Sequence, residues 1–543
     1  MATTEQLLAQ AREYHQQGQM QMALELYRSA VRSNPRSVNA HTGLGLALMQ
    51  GGIDAEAVDH LERAVKLDPT SPETICNLAM AHRSQGRLDE ALTCYERAVW
   101  MSKKYPRAVA GAAEIYALRG EYGKAHALLL PYISSEQDEP AVALTYARCC
   151  RALGKPSDAA PVLAKHLAGQ RGTLPPLNRI FMLLELANVA NDLGHPDRAF
   201  AAATDANRIY GRRYDAKRTN EAVDTTIANW TKDVHAELPV STAESELPVL
   251  LVGMPRSGHA LIEQIIASHP DAAPAGETAI TRHIINRLEE APTQDILPFS
   301  RPSALTFQPV NEGAGFYLNT LAMIAKREGA DKPARIVDRC SHNYLYLGML
   351  DRMLPKARVI HVRRNPLDTA LSCYMNTFDI PYHYRTHLAD FAEAYKAYQR
   401  MMDHWKSVIS LPILEVDYED IVSDFDTQAR RIIDFLGLEW SDACTRFWET
   451  KRRMTSFNNL GILKPLYDTS AGKHKHYEQF VAPLRADLGM PAAAQPVGAG
   501  RRRADAAHRV AYTRRRQLRD PRRRPCPATP APPTRARCPA PCG

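Results

Sequence analysis

The sequence predicts an all-α superhelix followed by an α/β domain with a central parallel sheet. Three observations predict it. Glycines recur every 34 residues through most of the first 210 positions, the pattern changes after Leu247 to alternating strands and helices, and a glycine-bounded turn joins an apolar run to a helical run in "ELPVLLVGMPRSGHALIEQIIASHP" (246–270). A chain of 543 residues has room for two or three domains.

The array comes first. Glycines stand at Gly18, Gly52, Gly86, Gly120 and Gly154, and the series resumes at Gly194 after a six-residue insertion. Alanines follow five residues later, at Ala23, Ala57, Ala91, Ala125, Ala159 and Ala199. Large residues come next at Tyr27, Leu61, Tyr95, Leu129 and Leu163, then small ones at Ala30, Ala64 and Ala98, and prolines close units at Pro35, Pro69, Pro106 and Pro140. Such a unit is two amphipathic helices, with glycine in the turn between them and alanine where they approach; one unit cannot bury its apolar face alone, so units stack. The pattern resembles the tetratricopeptide repeat over residues 1–211. That resemblance implies a protein or peptide partner on the concave face; alternatively the array spaces or dimerises the domain behind it.

Residues 212–246 read as a charged helix and a short polar linker, 247–490 as the α/β domain, and 491–543 as a disordered tail. The tail holds 13 arginines, no lysine and 2 aspartates, +11 by itself, so the other 490 residues sum to −3 against a whole-chain charge of +8. That balance argues against a nucleic-acid partner outside the tail, and the tail's Arg/Pro/Ala composition cannot bury enough apolar surface to offset chain entropy. The polar N-terminus and the lack of any 18-residue apolar window lead to the expectation of a cytoplasmic protein with no membrane span, its ten scattered cysteines reduced.

The turn Gly253-Met254-Pro255-Arg256-Ser257-Gly258 ends a strand and opens a helix, a P-loop-like arrangement. The first N–H groups of that helix have no intrahelical partner and lie at the positive end of its dipole, so they attract phosphate or sulfate. Arg256 adds charge and Ser257 a hydroxyl, and with no Gly-Lys-Ser/Thr the loop is not Walker A.

The stretch "GMPRSG…LIEQIIASHPD…AGE" resembles the 5′-phosphosulfate loop of sulfotransferases that use 3′-phosphoadenosine 5′-phosphosulfate, especially the bacterial group with an N-terminal tetratricopeptide array. Tyrosylprotein sulfotransferases are more distant relatives. "ARVIHVRRNPLDTALSCY" is similar to the family's 3′-phosphate site, which implies that Arg364 and Ser372 grip that phosphate. "PILEVDYEDIVSD" matches the strand carrying the adenosine-side tyrosine, Tyr418, and "LKPLYDTSAGKHKHYEQF" the loop that closes on the nucleotide, with Ser470, Gly472, Lys473 and Tyr477 in matching places. By the same resemblance Arg256, Ser257, Gly258, His259 and Ala260 bind the 5′-phosphosulfate, Glu277 is the base, and Arg339 the clamp on the sulfuryl group. Glu277 could instead be a helix N-terminal carboxylate favoured by the dipole. Sulfuryl transfer needs donors for charge developing on the leaving phosphate and a base for the acceptor proton, and it requires no metal.

Several positions depart from the family pattern. His259-Ala260 replace two hydroxyl residues, and His259 could donate to the anion, act as an acid or obstruct the pocket. Arg339 replaces a lysine, Asn365 an aspartate and His474 a tryptophan, while Asn458 or Asn459 and Gly461 take the places of polar residues near the closing loop. The losses fall on the sulfuryl side and spare Arg364 and Ser372. Two functions therefore follow: an active sulfotransferase with an unidentified hydroxyl acceptor, or a non-catalytic nucleotide-binding scaffold. Elsewhere, His383 and His387 have a helical metal-ligand spacing without a third ligand, Cys149-Cys150 read as packing, Lys451-Arg452-Arg453 as an acceptor contact or a solvated face, and Tyr382 and Tyr384 as candidate acceptor-pocket residues.

Overall fold

The computed structural model describes residues 2–492 apart from 52, 103–104, 134–138, 170–173, 212, 290–295, 379–381, 451–461, 463 and 467–469. Gly52, Lys451-Arg452-Arg453, Asn458, Asn459, Gly461 and nearly all of the 491–543 tail thus lie outside the described residues. Residues 1–490 form one compact unit.

Six helix pairs build the array: α1 (Thr4–Gln16) with α2 (Met20–Ser33), α3 (Val38–Gln50) with α4 (Asp54–Leu67), α5 (Pro72–Ser84) with α6 (Leu88–Met101), α7 (Pro106–Leu118) with α8 (Tyr122–Ile133), α9 (Pro140–Ala152) with α10 (Pro156–Gly169), and α11 (Pro176–Asp192) with α12 (Pro196–Tyr210). The periodic glycines sit between paired helices. Gly18, Gly86, Gly120, Gly154 and Gly194 all adopt φ between +71° and +77°, and a Cβ there would meet no atom within 4 Å. Backbone conformation, not space, selects glycine at these turns. The periodic alanines, from Ala23 to Ala199, are completely buried in the seams where helices meet.

Behind the array, α13 (Ala216–Asn229) and α14 (Lys232–Glu237) flank Trp230. The Trp230 ring is fully buried, donates its indole N–H to Phe299 O at 2.9 Å and meets Trp405 edge-on at 5.6 Å. The segment read as a linker is therefore stitched into the following domain.

That domain holds a five-stranded parallel sheet: β1 (Pro248–Val252), β2 (Ala272–Gly276), β3 (Arg335–Asp338), β4 (Arg358–Arg363) and β5 (Ile413–Asp417), in the order β2-β3-β1-β4-β5. Its helices are α15 (His259–Ile266), α16 (Ile280–Leu288), α17 (Phe307–Arg327), α18 (Leu347–Met353), α19 (Pro366–Tyr374), α20 (Leu388–Val408), α21 (Tyr418–Ser423), α22 (Phe425–Phe435) and α23 (Glu478–Asp487). Alternate strand residues feed two cores, as both faces of a parallel sheet must be covered. Leu250, Val252, Ile336 and Val359 pack with Met401 and Trp405, while Val249, Leu251, Val337 and Ile360 pack with Ile262, Ile265 and Ile432. The first core runs on into the array through Val142, Leu163, Leu183 and Ala203. Phe200 of α12 stacks on Phe480 of α23 at 4.1 Å, and Asn207 donates to Tyr374 O at 3.0 Å.

The chain leaves β1 for β2 and β3 on one side, then crosses to β4 and β5 on the other. Strand order thus reverses at β1, which opens a crevice at the carboxyl ends of β1 and β4.

Candidate functional site

Five of the predicted site segments follow the carboxyl ends of strands. The 253–260 loop follows β1, Glu277 follows β2, Arg339 β3, Arg364 β4 and Tyr418 β5. The loop is tightly shaped. Gly253 N donates to Ser341 O at 3.0 Å, Ser257 N to Met254 O at 3.3 Å, and Arg256 sits at φ +71°, a left-handed conformation that side chains other than glycine rarely adopt. Gly258 has φ +110°, and a Cβ there would stand 2.6 Å from Tyr418 Cδ2. The loop backbone therefore lies directly on the Tyr418 ring.

Arg364 ties three of these segments together. Its Nη1 donates to Arg256 O at 2.9 Å, its Nη2 to Ser470 O at 2.5 Å, and its guanidinium lies 4.6 Å over the Tyr418 ring. Arg256 Nε donates to Ser372 Oγ, on α19, at 2.9 Å. The 470–477 segment is fastened to the same helix by Asp368, which accepts from Gly472 N and His474 N, both at 2.7 Å, and pairs with His474 Nδ1 at 3.0 Å. These contacts frame a cavity of about 440 Å³ whose lining includes Arg256, Arg364, Ser372, Ser470 and Lys473. Burial pushes the Lys473 ammonium down to about 8; the Asp192 carboxylate opposes that shift, and Arg151, Arg364 and Arg256 add to it. Crowded, poorly solvated cations of this kind make an anion site.

A second group lies across the loop helix. Arg339 Nε donates to Glu263 Oε2 at 2.9 Å, and its Nη1 is 3.9 Å from Glu277 Oε2. Glu263 is buried, and its other oxygen accepts Gly276 N at 2.8 Å. His259 is buried and pushed down to about 3 by desolvation, against a hydrogen bond to the Val252 main chain. It is neutral near pH 7. With that bond donated from Nδ1, Nε2 carries no proton and has no hydrogen-bond partner. In that tautomer the ring has no proton to offer from Nε2.

Residues 248–442 match the sulfotransferase family, residues 8–72 and 60–93 match tetratricopeptide-repeat families, and residues 84–166 match the family of anaphase-promoting complex, cyclosome, subunit 3. The chain carries a sulfotransferase-family domain behind a tetratricopeptide array. An uncharacterized protein of Aquifex aeolicus is 30% identical over 298 residues, covering 53% of this chain and 38% of that protein. Protein-tyrosine sulfotransferase A of Caenorhabditis elegans is 24% identical over 199 residues, covering 36% of this chain and 50% of that protein. This chain thus spans half or less of the length of these curated relatives. Among solved structures, pilF of Pseudomonas aeruginosa matches at 19% identity with a TM-score of 0.32, over 38% of this chain and 92% of that one.

Within the sulfotransferase domain, the expected residues fall into two groups. Arg256, Arg364, Ser372, Ser470 and Lys473 share the cavity, while Ser257, Gly258, His259, Ala260, Glu277, Arg339, Tyr418 and Gly472 are not among the residues lining it. Several departures from the family pattern have partners. Asn365 caps α19 by accepting from Leu367 N at 3.0 Å and Asp368 N at 3.4 Å, a role in which asparagine equals aspartate. Tyr382 is buried against His342 and Ser341, at 3.2 and 3.4 Å, rather than lining the cavity. The metal-spacing argument for His383 and His387 fails because residues 383–386 form a 3-10 turn, which does not put them on one α-helical face. Among the described residues no cluster of three His, Cys, Asp or Glu side chains has metal-site geometry, and no helix is long and apolar enough to cross a membrane. Sequence reasoning missed Glu263, Asp368 and the cavity residues contributed by the array. Glu263 did leave a signal, as a lone carboxylate inside the apolar run "HALIEQII".

Proposed function

We propose that this protein transfers a sulfuryl group from 3′-phosphoadenosine 5′-phosphosulfate to a hydroxyl acceptor, with the array positioning the acceptor or a partner protein. The observation that carries this reading is the convergence of Arg256, Arg364, Ser372 and Lys473 on one cavity at the β1/β4 crevice of a sulfotransferase-family domain. In this reading Arg364 and Ser372 bind the 3′-phosphate, and the main-chain N–H groups of 258–260 bind the 5′-phosphosulfate. Tyr418 supports the adenosine side, while Ser470, Gly472 and Lys473 close over the nucleotide. Glu277 takes the acceptor proton, and the Arg339 N–H groups directed away from Glu263 stabilise charge on the sulfuryl oxygens.

One observation favours a second reading, a nucleotide-binding scaffold without turnover: Arg339 is engaged by two carboxylates, Glu263 at 2.9 Å and Glu277 at 3.9 Å. Calorimetric titration of the protein and of Arg364→Ala with adenosine 3′,5′-bisphosphate and with the sulfated donor separates the readings. Micromolar binding of both, lost in the variant, supports the transferase. Binding of the bisphosphate without the donor supports the scaffold, and binding of neither refutes the nucleotide site.

A further inference from the structure

The sulfotransferase domain does not supply the whole cavity. One wall is built by the array, where Arg148 and Arg151 of α9 and Glu185 and Asp192 of α11 border the same space as Arg364, Ser372 and Lys473. Arg151 Nη1 meets Glu185 Oε1 at 3.0 Å and its Nε meets Asp192 Oδ2 at 2.6 Å, while Arg148 Nε lies 3.7 Å from Glu185 Oε2. These pairs hold both side chains at the cavity, with 24% of the Arg148 side chain and 27% of the Arg151 side chain exposed. The wall is fixed to the nucleotide side of the domain. Tyr477 donates to Asn191 of α11 at 2.9 Å, four residues beyond Lys473, and α12 stacks on α23 through Phe200 and Phe480.

Charge gives this wall a purpose. The cavity is lined by six cations, Arg148, Arg151, Arg256, Arg364, Lys464 and Lys473, against the carboxylates of Glu185, Asp192 and Asp368. Asp368 is already occupied by two main-chain N–H groups and His474. A partly desolvated space with that excess of positive charge attracts anions, and more strongly those with more than one negative charge. A phosphomonoester has nearly two charges at neutral pH and three acceptor oxygens, which suits planar arginine forks arriving from more than one direction.

We propose that Arg148 and Arg151 are nucleotide-binding residues: the array completes, from its own wall, the subsite for the ribose-borne phosphomonoester of the donor. The proposal rests on the sulfotransferase reading above and deepens it, because donor selectivity then requires the array and domain together.

The test is calorimetric titration of the full chain with adenosine 3′,5′-bisphosphate and, by displacement, adenosine 5′-monophosphate. Wild type, Arg148→Ala, Arg151→Ala and Arg151→Lys are compared, with Arg119→Ala, an array arginine outside the cavity lining, as control. The ratio of the two affinities isolates the 3′-phosphate, because a folding defect weakens both ligands or lowers the binding-competent fraction alike. Losing one charged hydrogen bond should reduce bisphosphate affinity by about tenfold or more, with 5′-monophosphate affinity and the control unchanged and Arg151→Lys intermediate. An unaltered ratio in both alanine variants, with wild type still preferring the bisphosphate, overturns the array's role and leaves the sulfotransferase reading standing. If wild type binds neither nucleotide, that reading falls and this proposal with it.

Discussion

Replacing Arg339 by methionine tests whether this side chain is first a strut. Arg339 bridges a buried carboxylate on α15 to the segment after β2: its Nε is 2.9 Å from Glu263 and its main-chain N–H donates to Gly276 O at 2.8 Å. Only 1% of the Glu263 side chain is exposed. Arg339→Met would take the guanidinium away from that buried carboxylate, and breaking a buried pair from one side costs about 3–5 kcal/mol. Glu263→Gln should cost less, since the amide oxygen still accepts from Gly276 and the guanidinium keeps Glu277. Combining the two substitutions removes the stranded charge, so the double variant should recover about 2 kcal/mol relative to additivity. Urea unfolding followed by tryptophan fluorescence reads this domain selectively. Of the five tryptophans, Trp230, Trp405, Trp440 and Trp448 lie beyond the array, and Trp100 on α6 is already 84% exposed. With a urea slope of about 2–3 kcal/mol per molar, Arg339→Met should move the midpoint down by about 1–2 M. A shift below about 0.3 M together with abolished sulfuryl transfer would refute the strut and make Arg339 a clamp.

Other expectations follow from the same geometry. Lys473 is charged below about 8 and neutral above it, so attraction for an anion is lost as pH rises through that value. Bisphosphate affinity measured by titration should be flat near neutrality and fall between about pH 7.5 and 9, and Lys473→Arg should remove the fall; a wild-type profile that stays flat to pH 9 would show that the ammonium is not at the phosphate. Gly258→Ala faces both a positive φ and the Tyr418 ring at 2.6 Å, whereas Gly86→Ala, with φ +71°, meets no atom within 4 Å. Gly86→Ala should cost about 1–2 kcal/mol and Gly258→Ala more, with weakened bisphosphate binding in the second variant alone. Equal costs and unchanged binding would dissociate Tyr418 from the loop.

The repeat architecture was legible because its signal is local and periodic: Gly18, Gly86 and Gly120 mark turns by their own backbone conformation, and Ala23 or Ala57 mark a seam by size. The crevice was legible for a related reason, since a strand, a glycine turn and a helix occupy contiguous sequence from Pro248 to Ile266. The junction was not. Arg151 lies more than 200 residues before Arg364, and in the sequence it is an ordinary charged residue near the end of a repeat helix. Its neighbourhood exists because α11 and α12 dock on the closing segment and α23, through Asn191–Tyr477 and Phe200–Phe480. Asp368 was hidden differently, as one more acidic residue at a helix start, where the dipole alone explains a carboxylate. Only the fold reveals that it holds residues 472 and 474.

The departures from the family pattern divide sharply once their contacts are known. Asn365 caps α19, His474 pairs with Asp368, and Arg339 reaches both Glu263 and Glu277 with its planar guanidinium. Each of these replacements is integrated by polar partners, which is not the pattern of a site losing its contacts at random. His259 is the exception, a buried neutral ring whose Nε2 has no partner and which stands where the family loop has a hydroxyl. Under the proposed transferase reading, position 259 is the replacement to test. His259→Thr with Ala260→Thr restores two hydroxyls beside the main-chain N–H groups while leaving the Arg364–Ser372 side untouched. The sulfated donor should then gain about tenfold in affinity, the worth of one charged hydrogen bond, with adenosine 3′,5′-bisphosphate tightening less, because the added donors face the sulfuryl end. Paired titrations of the two ligands measure this directly. A donor-to-bisphosphate affinity ratio that does not move would mean that the backbone already satisfies the phosphosulfate, and that His259 is a packing residue of the loop helix with no bearing on transfer.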